Sequence, residues 1–90
     1  METEYDHGKA QSNLKKHGLT FEEASTALLD EQAVWIEDPS ADGENRWIFW
    51  GLSERLRLLA VVVTLRGDRI RIISARKATK TEAKAYAQRI

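Results

Sequence analysis

The pattern of hydrophobic and polar positions is most distinctive over Leu58–Val63, where every residue is apolar. A strand that is apolar on both sides is covered on both faces, so the pattern predicts a central strand over Leu56–Thr64. The runs Arg46–Leu52 and Arg69–Ala75 predict two neighbouring strands. Only short turns separate the three, and such connections favour antiparallel pairing.

The last of these strands contains an irregularity in its pattern. Arg71 alternates with Ile70 and Ile72 and therefore points to the opposite face of the sheet. Ile73 then falls on the arginine side. Either a β-bulge interrupts the strand there or the arginine face is partly apolar, and the face occupied by Arg76 stays open.

Three helices are predicted from their capping residues. Asp6 is an N-cap for a first helix that Gly18 stops at the C′ position. Thr20–Glu23 forms a capping box that begins a second helix ending near Leu29. A second capping box, Thr79–Glu82, begins a C-terminal helix.

Short segments complete the predicted organisation. Thr3–Tyr5 is predicted as a short edge strand, Ala33–Glu37 as a further strand and Asp38–Gly43 as a loop. The chain is therefore expected to form one domain over residues 1–90. Its expected fold class is α+β, with two N-terminal helices and a C-terminal helix packed on one face of an antiparallel sheet of four to five strands.

The distribution of charge divides the chain into two unequal parts. Residues 1–54 contain four Lys and Arg against twelve Asp and Glu, whereas residues 55–90 contain ten against two. The basic part could present a positive face that attracts phosphate groups. Alternatively, its cations pair with the acidic part on a solvated surface.

Composition excludes several classes of protein and site. The chain has no cysteine and two histidines, which excludes disulfides, thiolate chemistry and a zinc site built from histidines, and no metal site is expected. The longest apolar run is too short to span a bilayer, and the acidic N-terminus does not resemble a signal peptide. We therefore expect a cytoplasmic protein with no membrane association. Glycine-rich phosphate loops and nucleophile elbows are absent.

His17 is the first candidate for chemistry, because a histidine can take or give a proton at neutral pH. On a helix it shares a face with Ala10 and Leu14, so a half-buried structural histidine is the competing interpretation. Lys16 lies on the adjacent stripe with Lys9 and Asn13. That stripe could bind a phosphate or could simply be the solvated side of the helix.

Three cations at strand ends are candidates for phosphate binding. Arg46 follows the predicted loop directly and can reach into a cleft, although pairing with Asp42 or Glu44 is equally open. Arg76 and Lys77 precede the N-terminus of the last helix, where anions bind readily. For these two, phosphate contact is favoured over plain surface charge.

Aromatic residues at Trp47, Phe49 and Trp50 could stack on nucleic-acid bases. Aromatic side chains are also common in ordinary strands, and the hydrophobic core is the favoured interpretation for them. The same holds for Trp35 and Tyr86.

A set of motifs spread over nearly the whole chain follows a known pattern. It comprises Asp6, Lys9, Ala10, Asn13, Leu14, Lys16–Gly18, Phe21–Ala24, Gly51–Ser53, Leu58, Leu59, Arg71–Thr79, Glu82 and Tyr86. In this order and spacing the chain resembles the BrnT family, ribonuclease toxins of bacterial type II toxin–antitoxin systems. Relatives often have Tyr or His in place of Val63 and Gly near Leu56, so contacts made by those family side chains are missing here.

The resemblance implies a fold like that of the RelE ribonucleases. It also implies a partner antitoxin of the BrnA type, a ribbon-helix-helix protein through which the complex would bind and repress its own promoter DNA. No cofactor is implied.

The leading hypothesis is a metal-independent endoribonuclease toxin in which the ribose 2′-hydroxyl attacks the adjacent phosphate and leaves a 2′,3′-cyclic phosphate. The competing hypothesis is a non-catalytic binding module that acts only in a regulatory complex. In the first, the candidate residues are Arg46 and Arg76 for charge stabilisation, His17 or Lys16 for proton transfer, and Arg57, Lys77 and Lys80 for holding RNA.

Overall fold

A computed structural model describes residues 2–39 and 45–88 of the chain. Within them the chain forms five strands and three helices, and none of these helices is long and apolar enough to cross a membrane. The predicted loop Asp38–Gly43 lies mostly outside the described residues. In chain order the elements are β1 Glu2–Tyr5, α1 His7–His17, α2 Phe21–Ala27, β2 Val34–Glu37, β3 Arg46–Leu52, β4 Leu58–Arg66, β5 Arg69–Lys77 and α3 Lys80–Gln88.

The five strands form one sheet in the order β1-β5-β4-β3-β2. The predicted α+β class and the central position of the apolar strand β4 are confirmed. The prediction of an antiparallel sheet is wrong for β1, which pairs parallel to β5, with Glu4 opposite Arg71. Short turns fix the direction of consecutive strands only, and β1 is far from β5 in the sequence, so the sheet is mixed.

A β-bulge lies in β5, as one of the two interpretations of its pattern required. Val62 pairs with Ser74 and Val63 with Ile72, which leaves Ile73 as the extra residue. Because the alternation restarts after the bulge, Ala75 returns to the core and Arg76 points to the opposite face.

The hydrophobic core lies between α2 and one face of the sheet. Phe21 and Ala24 of α2 are fully buried with Phe49 and Val61 of the sheet. Gly51 permits this approach, because a Cβ there would lie 2.6 Å from the Ala27 carbonyl oxygen. We call this side of the sheet the core face and the other side the outer face.

Helix α1 covers the edge of β5 that β1 leaves unpaired. The Asn13 side chain takes the place of a neighbouring strand there. Its Oδ1 accepts from the Ala75 backbone N–H at 3.0 Å, and its Nδ2 donates to the Ala75 and Leu19 carbonyl oxygens at 2.8 and 3.1 Å. Asn13 is buried, although its helical position placed it on the polar stripe with Lys9 and Lys16.

Helix α3 does not share the core face with α2. It contacts β3 and has no fully buried residue, and two polar side chains attach it to the rest of the domain. Glu82 binds Arg76 on the outer face, and the Tyr86 hydroxyl donates to Asp30 Oδ2 at 2.5 Å. The prediction that all three helices pack on one face is therefore wrong. The similarity of the fold to that of the RelE ribonucleases stays a prediction.

Candidate functional site

A groove of about 550 Å³ runs between α1 and the second half of β5. Lys9, Lys16 and His17 line it on the helix side, and Ile73 and Ser74 line it on the strand side. The β-bulge brings Ile73 into this position by shifting the strand out of register. The helical stripe that the sequence suggested for phosphate binding thus faces a groove. We call it the α1–β5 groove.

Beside this groove lies a second, smaller cavity of about 260 Å³, which we call the basic depression. Four of its lining residues are cationic. The lining consists of Lys9, Asn45, Arg46, Thr64, Leu65, Arg66, Arg71 and Ile73. Lys9 and Ile73 belong to both cavities, so the two form one continuous recess.

Three residues of the basic depression form a single row across the outer face. Arg46 of β3 pairs with Thr64 of β4, which pairs with Arg71 of β5. Neighbouring strands are about 4.8 Å apart, so the two arginines flank Thr64 at one strand spacing on either side. The row continues to Glu4 of β1, whose Oε2 accepts from Arg71 Nη1 at 2.8 Å. This ion pair lowers the pKa of Glu4.

The structure brings three of the predicted catalytic residues to the same recess. His17 and Lys16 lie in the α1–β5 groove, and Arg46 lies in the basic depression next to it. His17 is exposed, and Leu14 on its helical face is 48% exposed, so the half-buried interpretation of this histidine is wrong. The predicted partners of Arg46, Asp42 and Glu44, lie outside the described residues.

Arg76 lies elsewhere on the outer face, paired with α3. Its Nη1 and Nη2 donate to Glu82 Oε1 and Oε2 at 2.7 and 2.9 Å, a bidentate ion pair. Arg76 is aligned with Ala60 and Trp50, four residues along β3 from Arg46. The Cα atoms of the two arginines are therefore roughly 16 Å apart by strand geometry. The structure does not place them around one point.

The pair with Arg76, together with hydrogen bonds from Thr79, lowers the pKa of Glu82 to about 2. A carboxyl whose pKa is lowered on folding stabilises the fold above its ordinary value of 4.5. That stabilisation is lost as the pH falls toward about 2. We therefore expect Glu82→Gln to lower the free energy of unfolding at pH 7 by about 2 kcal/mol, allowing for solvent screening of Arg76. The difference from the parent chain should shrink between pH 4.5 and about 2.

Urea unfolding followed by tryptophan fluorescence over this pH range measures the effect. Lys84→Gln is a suitable control, because Lys84 is an exposed residue of the same helix. A difference between Glu82→Gln and the parent chain that does not change with pH would contradict the assignment of the stabilisation to this carboxylate.

The three residues predicted to hold RNA lie in two different places. Lys77 and Lys80 are exposed, at the end of β5 and the start of α3, near Arg76. Arg57 lies on the α2 side, where its Nε donates to Glu23 Oε2 at 2.9 Å and its Nη2 to Glu23 Oε1. Ser53 Oγ also donates to Glu23, at 2.7 Å. These bonds lower the pKa of Glu23, which is buried.

Two residues of the recess were missed as candidates for function. Arg71 was assigned only to a face of its strand, and Thr64 was named only as the last residue of the predicted central strand. Alternation would have placed Arg71 and Thr64 on one face once the register of β4 and β5 was known. That register depends on the position of the bulge, which the sequence left open.

Comparison with known proteins agrees with the observed fold and motifs. The family model described as "Ribonuclease toxin, BrnT, of type II toxin-antitoxin system" matches residues 5–82. The 1.1 Å crystal structure of the Brucella abortus ribonuclease toxin BrnT matches with a TM-score of 0.70 and 26% identity, covering 89% of this chain and 99% of that one. No curated protein sequence matches. The chain therefore belongs to the BrnT family of ribonuclease toxins of type II toxin–antitoxin systems.

Proposed function

We propose that the chain is a metal-independent endoribonuclease that cleaves at the recess formed by the α1–β5 groove and the basic depression. The observation that carries the proposal is the continuity of the two cavities through Lys9 and Ile73. Two groups able to transfer protons, Lys16 and His17, line the groove, and the guanidinium of Arg46, which can neutralise phosphate charge, lines the depression that adjoins it.

The proposed reaction uses the RNA itself as nucleophile. The ribose 2′-oxygen attacks the adjacent phosphorus, the bond from phosphorus to the 5′-oxygen breaks, and a 2′,3′-cyclic phosphate remains. One proton leaves the 2′-hydroxyl, and one is added to the departing 5′-oxygen. His17 or Lys16 transfers these protons, and Arg46 stabilises the charge on the phosphorane. Alignment of the 2′-oxygen with the leaving oxygen supplies a further part of the acceleration.

Arg76, Lys77 and Lys80 contribute at a second position in this proposal. Their distance from Arg46 suits RNA that extends from the recess along β5 toward the start of α3. Arg76 would stabilise backbone charge there with the donor capacity that its pair with Glu82 leaves. Arg57 would hold RNA only if its guanidinium also reached beyond Glu23.

The biological setting proposed for this activity follows from family membership. The partner is a BrnA-type ribbon-helix-helix antitoxin, which neutralises the toxin, and the complex binds promoter DNA through the antitoxin. The fold would be related to that of RelE ribonucleases, and the protein would act in the cytoplasm. The acidic residues 1–54 and the basic residues 55–90 supply charges of both signs for such a partner.

The test is incubation of the purified chain with a long unstructured RNA in excess EDTA, followed by analysis of the product ends. We expect new ends that carry a 2′,3′-cyclic phosphate. Ends of another kind, or cleavage only after a divalent cation is added, would refute the mechanism. RNA that stays intact in EDTA and with added Mg²⁺ would favour the non-catalytic binding module.

A further inference from the structure

The side-chain hydroxyl of Thr64 has no partner in the described part of the protein. Thr64 lines the basic depression, yet its Oγ1 is shielded from solvent and makes no hydrogen bond to any described residue. Buried hydroxyl groups normally have a partner, either in the protein or in a bound molecule. A polar group bound at the centre of the depression would provide one.

The charges around Thr64 show what sign that group should have. Among the described residues that line the depression none is acidic, and Lys9, Arg46, Arg66 and Arg71 are cationic. The Nη1 group of Arg71 donates a hydrogen bond to Glu4. Its Nε and Nη2 groups make no hydrogen bond to a described residue. A bound anion could therefore accept from Arg71 without breaking the pair with Glu4.

The arrangement suits a phosphate group better than a carboxylate. Arg46 and Arg71 approach the space above Thr64 from two opposite sides, because they lie on the two strands that flank β4. Lys9 approaches from a third direction, from α1. Donors that converge from several directions match the tetrahedral oxygens of a phosphate, whereas a carboxylate is planar and is bound fully by one guanidinium.

We propose that the basic depression is a phosphate subsite for RNA, in which Lys9, Thr64 and Arg71 hold the backbone phosphate next to the one that is cleaved. Arg46, on the other side of Thr64, has enough N–H donors to contact both phosphates. The inference rests on the proposed function, since it takes RNA as the substrate. The shared residues Lys9 and Ile73 place the subsite directly beside the groove that contains Lys16 and His17.

The test measures binding of a fluorescent 2′-O-methyl RNA, which lacks the attacking hydroxyl and cannot be cleaved by the proposed reaction. Arg71→Gln is compared with Arg69→Gln, a matched control on the same strand and face that also pairs with Glu4 but does not line the depression. We expect Arg71→Gln to raise Kd about tenfold and to reduce the salt dependence by about one ion. Arg69→Gln should change Kd less than twofold.

Thr64→Val tests the hydroxyl separately, because the two side chains have nearly the same shape. We expect Kd to rise about fivefold, with thermal stability unchanged or higher. Equal affinities of Arg71→Gln and Arg69→Gln, or no binding of RNA by the parent chain, would overturn the subsite. The subsite would also be overturned if Arg71→Gln left the affinity for RNA unchanged but weakened the binding of a polyglutamate peptide. Arg71-dependent binding without cleavage of ordinary RNA would instead refute the proposed ribonuclease and leave the subsite standing.

Discussion

Arg46→Ala is expected to lower the rate of RNA cleavage by about a hundred- to a thousandfold, the effect typical of removing one preorganised donor from a transition state. The reason is that Arg46 lines the basic depression, which adjoins the groove that contains the groups proposed to transfer protons. Arg46→Lys should recover only part of the rate, because an ammonium group keeps the charge but cannot bind two phosphate oxygens in parallel.

Single-turnover cleavage of a labelled RNA in EDTA measures this effect, and circular dichroism checks that each variant is folded. Arg55→Ala provides the control. Arg55 is an exposed cation of the β3–β4 turn and lies in neither cavity, so its removal changes the net charge equally. A rate for Arg46→Ala within about threefold of the rate for Arg55→Ala would remove Arg46 from the mechanism.

Arg76→Ala is expected to act on the cleavage rate in a different way from Arg46→Ala. Because Arg76 is bound to Glu82 and lies far from Arg46, it would stabilise substrate charge from a distance or hold α3 in place. The two arginines were assigned to one role because both lie at strand ends in a basic sequence. A position at a strand end does not show which row across the sheet a residue occupies. Here Arg46 and Arg76 lie in different rows.

The sequence predicted those elements whose signals are local. The apolar run Leu58–Val63 identified the central strand. Asp6 and Thr20 were predicted to begin helices, and the structure confirms this, because their side chains accept from the Lys9 and Glu23 backbone N–H groups. Each of these signals involves residues close together in the chain. Local pattern was therefore sufficient for the fold class and for most element boundaries.

Features that depend on distant pairing could not be predicted in the same way. The parallel direction of β1, the register across the bulge at Ile73 and the burial of Asn13 are all set by contacts with β5. The recess could not be predicted for the same reason, because its residues come from four elements that are distant in the sequence, α1, β3, β4 and β5. Charge identified the candidate cations, but only the register shows that Arg46 and Arg71 flank Thr64.

The φ angle of Leu56 shows another limit of local pattern. The predicted strand began at Leu56, whereas the residue lies in the turn before β4 with φ of 60°. A non-glycine residue rarely adopts this conformation, and the resemblance noted glycine near this position in relatives. An apolar residue next to an apolar run extends a strand in any pattern analysis, so the predicted strand began two residues before Leu58, where β4 starts.

Arg57→Met is expected to lower the free energy of unfolding at pH 7 strongly, the second large effect expected in this chain. Methionine keeps much of the aliphatic volume of arginine but leaves the buried Glu23 carboxylate without its main partner. Arg57 lowers the pKa of Glu23, so the pair stabilises the fold above the ordinary carboxyl value of 4.5. That contribution is lost as the pH falls through the lowered value.

The double variant Glu23→Met with Arg57→Met separates charge from packing. If the cost comes from an unpaired buried charge, the double variant should be more stable than Arg57→Met alone, because no carboxylate is left buried. Urea unfolding of both variants measures the difference. Equal instability would assign the cost of Arg57→Met to lost packing instead of to an unpaired charge.

The same variants decide the predicted role of Arg57 in holding RNA. Arg57 lies in neither the α1–β5 groove nor the basic depression, and two of its nitrogen atoms are engaged by Glu23. We expect RNA affinity of the folded double variant to stay within about twofold of the parent chain, since a single exposed phosphate contact is weak. A tenfold loss of affinity in a folded variant would extend the RNA path to the α2 side of the domain and would place Arg57 on it.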